Sequence, residues 1–163
     1  MDFSYSEEQE AVRELADRIF TERVTHERLK DLEAAAGDEG PIDRELWAEL
    51  ATAGLLGIHL GEDVGGAGLD FVAACLVVEA AGRTAAYVPV VETMVYGALP
   101  IERCGTEAQR KIWLSGVASS AHSSRSIGPS SPAAASIAFS RSWVARSVKI
   151  RPARSRTASC SSL

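Results

Sequence analysis

Aromatic residues are scarce in this chain, 6% of 163 positions, and cysteines are scarcer. Cys75, Cys104 and Cys160 are widely spaced and odd in number, so they form no C-x-x-C pair and no disulfide framework. A reducing cytoplasm is the expected compartment. The first residues, Met1-Asp2-Phe3-Ser4, are acidic and carry no apolar core, which argues against a secretory signal. Uncharged apolar stretches such as Phe71 to Val78 fall far short of the roughly 20 residues a membrane helix needs. No membrane partner is expected.

Acidic residues are missing altogether from positions 119–163, whereas residues 1–118 hold all 22 of them. The last 45 positions carry seven of the 17 basic residues, 15 serines and six arginines. An abrupt change of that kind is an organisational boundary before it is a functional one. Residues 119–163 therefore read as a separate low-complexity Ser/Arg-rich tail, expected to be disordered or the product of a shifted reading frame in a GC-rich gene. Its positive charge could attract phosphates, but only Phe139 and Trp143 supply aromatics. No recognised nucleic-acid motif surrounds them, and no nucleic-acid partner is expected.

Catalytic and metal patterns are lacking too. His26, His59 and His122 are dispersed, and none has a second histidine four residues on or a cysteine nearby. His59 with Glu62 and Asp63 is the one conceivable cluster, and it reads as an ordinary polar loop. No H-E-x-x-H or G-x-S-x-G occurs. Gly61-Glu62-Asp63-Val64-Gly65-Gly66-Ala67-Gly68 is glycine-rich, but Phe71 stands where a dinucleotide fingerprint needs its third glycine, and a helix rather than a strand precedes it. A turn needing positive φ at Gly65 or Gly66 is expected instead. The residues themselves give no catalytic group, no cofactor-binding group and no metal ligand.

What is present is helix after helix. Ser6-Glu7-Glu8-Gln9 is a capping box, and Val12, Leu15, Ala16, Ile19 and Phe20 form one apolar stripe behind it. A second helix is expected from Glu27 to Ala36. Asp43 caps a third, with Leu46, Trp47 and Leu50 on its buried side and Gly54 as a left-handed stop. Asp70 caps a fourth, Phe71 to Arg83, apolar nearly all round and so expected at the centre with neighbours on several sides. Val91, Met94, Val95, Ala98 and Leu99 mark a fifth, which Pro100 should end or kink. Thr106-Glu107-Ala108-Gln109 opens a last helix through Leu114. No stretch alternates with period two. The fold class is all-α, an up-and-down helical bundle over residues 1–118.

Four segments in register resemble the N-terminal domain of the acyl-CoA dehydrogenases. They are Phe3-Ser4-Tyr5-Ser6-Glu7-Glu8-Gln9; Leu46-Trp47 through Gly54-Leu55-Leu56-Gly57; Glu62 through Asp70 with its glycines; and Leu99-Pro100-Ile101 with Gly105-Thr106-Glu107-Ala108-Gln109-Arg110 through Leu114. The sequence departs from the family at Gly61 and Ser115, where proline is usual, and at Val64, where an aromatic is usual. The resemblance implies an oxidoreductase of lipid degradation that oxidises an acyl-CoA thioester between Cα and Cβ. In that chemistry a glutamate removes the α-proton while the β-hydrogen passes as hydride to the flavin of FAD. Flavin contacts and the catalytic glutamate belong to the family's middle and C-terminal domains, so residues 1–118 alone are expected to be inactive and to retain no FAD. What they supply by resemblance is one wall of the acyl pocket, with Glu92, Met94 and Val95 as candidate lining residues. A different reading is a non-enzymatic helical module that docks on a partner subunit or self-associates.

Overall fold

The computed structural model describes residues 4–37 and 40–118. The tail boundary and everything expected of 119–163 lie outside them. Among the described residues the elements are helices and tight turns, in the order the sequence suggested.

Helix α1 (Glu7–Arg23) starts on the expected capping box: Ser6 Oγ accepts from the Gln9 amide at 3.2 Å, and Gln9 Oε1 accepts from the Ser6 amide at 3.0 Å. Its stripe buries Val12, Ala16, Ile19 and Phe20. Helix α2 (His26–Ala35) buries no residue of its own and is held through polar contacts. Arg28 reaches Asp43 with two hydrogen bonds of 2.9 Å, from Nε and Nη2, and Glu45 with one of 3.0 Å. Asp43 in turn caps α3 (Arg44–Thr52) by accepting from the Leu46 amide at 3.1 Å. One nearly buried carboxylate thus fastens α2 to the start of α3.

Gly54, at φ 75°, ends α3 in the left-handed region as expected. The chain then turns through Leu55–Gly57 and Glu62–Val64. Helix α4 (Phe71–Thr84) is capped by Asp70, whose carboxylate accepts from the Ala73 amide at 3.1 Å. Gln9 Nε2 donates to the same carboxylate at 2.8 Å, and Arg83 pairs with Asp17 farther along both helices. Helices α1 and α4 therefore run side by side in the same direction. Phe20, Leu46, Leu50, Leu55, Leu56, Val77 and Met94 fill the main core around them.

The expectation that α4 is surrounded is corrected. Ala73, Ala74, Leu76, Val77, Ala80 and Ala81 are buried, but Phe71 and Val72 are each 41% exposed and Cys75 is exposed as well. Packing against α1 and the Leu55–Gly57 turn uses two sides of the helix and leaves an edge uncovered.

Pro100 brings a second correction. The helix does not end there: Val91–Ala98 winds in π-helical turns and runs directly into α5 (Leu99–Cys104). In an α-helix the proline ring would collide with the carbonyl four residues back. The wider π turn sends the Leu99 amide to the Met94 carbonyl, five residues back, and the chain passes the proline without breaking. After Gly105 the second capping box forms as expected, with Thr106 Oγ1 accepting from the Gln109 amide at 3.3 Å. Helix α6 (Glu107–Gln109) continues through π-helical Arg110–Leu114 into α7 (Ser115–Ala118), beyond the expected stop at Leu114. Leu60, Val64, Ala98, Leu114 and Val117 make a second, smaller core at this end.

Candidate functional site

The Val91–Ala98 segment carries the three residues singled out for an acyl pocket, and the structure separates them. Met94 has no exposed surface and belongs to the main core. Glu92 and Val95 are half-buried, and Tyr96 beside them is 52% exposed. The open side of the segment is thus built from Glu92, Val95 and Tyr96, while Met94 anchors it from behind. Thr93 and Ala98 are buried with Met94.

A second feature lies where the glycine-rich loop meets α5 and the start of α4. A cleft of about 450 Å³ opens there, lined by His59, Asp70, Phe71, Glu102, Arg103 and Arg110 among others. The loop that forms its floor is tightly fastened. The Gly66 amide donates to the Gly61 carbonyl at 3.1 Å, Ala67 to Gly57 at 3.2 Å, Gly68 to Leu60 at 2.8 Å and Leu69 to Ile58 at 3.0 Å. Gly65 takes the positive φ expected there, at 86°, and Gly68 takes another, at 70°. Gly66 is required for a different reason: a Cβ on it would lie 2.1 Å from the Leu60 carbonyl oxygen.

His59 is not the polar loop residue that its neighbours Glu62 and Asp63 suggested. It is 6% exposed, whereas both acids are exposed. Neither ring nitrogen has a hydrogen-bond partner among the described residues. The Met94 backbone carbonyl lies near the ring. Burial holds the imidazole below its usual pKa, and the Glu102 carboxylate and that carbonyl oppose the shift only in part. Asp63 instead pairs with Arg110, Nη2 to Oδ2 at 3.4 Å. The Nε of Arg110 is enclosed and likewise lacks a partner among the described residues. The signal for His59 was available in the sequence, since it sits inside the apolar run Leu55-Leu56-Gly57-Ile58-His59-Leu60, where a solvated side chain is out of place.

Among the described residues no group of three or more His, Cys, Asp or Glu could hold a metal ion, and no helix is long and apolar enough to cross a membrane. The profile of the acyl-CoA dehydrogenase N-terminal domain matches residues 6–121. The chain belongs to the acyl-CoA dehydrogenase family. Among its curated relatives in that family, acyl-CoA dehydrogenase FadE27 of Mycobacterium tuberculosis is 32% identical over 113 residues, which are 69% of this chain and 30% of FadE27. FadE12 of the same organism is 41% identical over 76 residues, 45% of this chain and 19% of FadE12. Two solved structures are similar in fold. A variant of the Tcur3481–Tcur3483 steroid ACAD aligns with a TM-score of 0.63 and 45% identity, covering 69% of this chain and 30% of that one. The ChsE4–ChsE5 complex from Mycobacterium tuberculosis aligns with a TM-score of 0.67 and 30% identity, covering 74% and 32%. The chain therefore spans less than a third of the length of these relatives.

Proposed function

We propose that residues 6–118 serve as the helical wall of an acyl-CoA dehydrogenase acyl pocket, with Glu92 and Val95 facing the acyl group. The observation that carries this reading is the split of the Val91–Ala98 segment, with Met94 locked in the core and Glu92, Val95 and Tyr96 on the open side. A wall of this kind excludes water and sets the shape of the pocket; it does not itself transfer a proton or a hydride. Where FAD supplies hydride acceptance, it must be held by other parts of the assembled enzyme. The glycine-rich loop does not fit a pyrophosphate, because the amides of Gly66, Ala67 and Gly68 are already spent on backbone carbonyls.

Two narrower readings follow from the relatives. The identity of 45% to a steroid ACAD supports an acyl group as bulky as a steroid. The pairing of ChsE4 with ChsE5 supports a partner subunit, and the uncovered Phe71, Val72 and Cys75 edge of α4 supplies apolar surface for one.

The test is a chimera in which residues 6–118 replace the matching region of FadE27, assayed by flavin-dependent dye reduction with straight-chain and steroid acyl-CoA. An active chimera is expected, and Val95→Trp should lower kcat/KM about tenfold for the bulkier substrate, through KM. A chimera that folds, holds flavin and is indifferent to Val95→Trp would overturn the wall. The isolated chain is expected to be colourless, and stoichiometric FAD retained through dialysis would overturn that part of the reading.

A further inference from the structure

We propose that the cleft between the glycine-rich loop and α5 is an oxyanion site, taking a phosphate or carboxylate group on His59, Arg103 and Arg110. This site is separate from the acyl wall and does not depend on it. Three observations converge. His59 lines the cleft, is 6% exposed, and has both ring nitrogens without a partner among the described residues. A buried polar group left that way costs roughly 1–3 kcal/mol unless something meets it. Arg110, also in the cleft lining, pairs through Nη2 with Asp63 at 3.4 Å and keeps an enclosed Nε without a partner among the described residues. Arg103 lines the cleft from α5 and makes no ion pair among the described residues.

The Arg103 guanidinium and the Arg110 Nε–H call for acceptors, and the neutral His59 ring adds one further N–H, its other nitrogen being itself an acceptor. Asp70 also lines the cleft, but its oxygens are engaged by the Ala73 amide and Gln9 Nε2. Asp70 and Glu102 are the two carboxylates of the lining that oppose an anion, and the charge of Glu102 can be removed without uncapping α4. The planar guanidinium groups suit a two-oxygen or three-oxygen anion, and Phe71 and Leu99 give the cleft apolar walls for whatever the anion is attached to.

The probes are inorganic phosphate and acetate, titrated separately into the full chain at constant ionic strength and followed by amide and side-chain NMR. Shifts should be confined to His59, Arg103, the Arg110 Nε–H and the Gly61–Asp70 amides. Arg103→Gln, at an exposed position whose loss does not threaten the fold, should weaken binding about tenfold. Glu102→Gln should tighten it several-fold by removing an opposing charge. Saturation by phosphate alone or by acetate alone supports the site and fixes which oxyanion it takes. The proposal fails if neither anion shifts these signals. It fails equally if both variants bind as the parent does, which would mark general charge attraction without a site.

Discussion

The two ends of the described bundle are built on different terms. Around α1, α3 and α4, each helix begins on a side-chain cap and presents a regular stripe, and the core holds large side chains with no exposed surface. At the other end, where residues 90–118 meet the glycine-rich loop, π-helical turns replace part of the helices, the core shrinks to five buried members, and three enclosed polar atoms, two on His59 and one on Arg110, lack partners among the described residues. Regular helices satisfy their own backbone and bury their own faces. π-helical turns are uncommon and concentrate where geometry serves something other than stability. The first region holds the fold, and the second spends stability on a cleft and an open face.

The sharpest way to break that contrast is to remove one fully buried large side chain from each end. Phe20→Ala should cost about 3–5 kcal/mol, because its ring is fully enclosed by the main core. Leu114→Ala should sit near the lower limit for such deletions, about 2 kcal/mol, since a small cluster can close around the gap. Urea unfolding measures both; a larger loss at Leu114 would mean the irregular end is the keystone.

Next in size is Asp43, the carboxylate that joins α2 to α3. Asp43→Ala removes a helix cap and leaves Arg28 without its main partner, at a cost of about 2 kcal/mol. The Arg28 hydrogen bonds are the main reason Asp43 stays below the ordinary carboxylate pKa of 3.8. A carboxylate depressed in the folded state contributes fully above that ordinary value, and its contribution is lost as pH falls through the lower folded one. Acid unfolding should therefore shift to higher pH in Asp43→Asn, with neutral-pH stability less affected than in the alanine variant.

A smaller effect belongs to His59. Its folded pKa lies below 6.5, so the unfolded chain takes up a proton first as pH drops. Stability should decline as pH falls from 6.5 toward the folded value, and His59→Gln should flatten that slope. An unchanged slope would place the titrating group elsewhere. Least of all should follow from Lys111→Ala. Its 2.7 Å pair with Glu107 is exposed on both sides, and a change beyond about 0.5 kcal/mol would be surprising for such a pair.

Much of the fold was legible where its signals are local. Ser6, Asp43, Asp70 and Thr106 cap where their spacing says they should, and Gly54 and Gly65 turn left-handed where the stripe runs out. The rest depends on neighbours distant in sequence. Pro100 reads as a stop because local rules assume α geometry, and only the preceding wide turns let the helix pass. His59 reads as solvated beside two acids, yet the backbone of the glycine-rich loop turns Glu62 and Asp63 outward and His59 inward. The α4 edge reads as core because composition cannot tell how many neighbours a helix has. For the acyl wall, the sequence pattern put Met94 and Val95 on one face; the π turn set them on different ones.

Glycine-rich loops are usually where a protease enters first, because a cleavable segment must be drawn out into an extended strand. The Gly57–Leu69 loop resists that demand. From Gly65 to Leu69 every consecutive amide is tied to a carbonyl of the same loop, with bonds of 2.8 to 3.2 Å. Pulling out a scissile stretch would break five of these together and expose Leu60 and Val64. A broad-specificity protease should therefore leave this loop whole until the bundle itself opens, so that its cutting rate there reports global unfolding rather than local play.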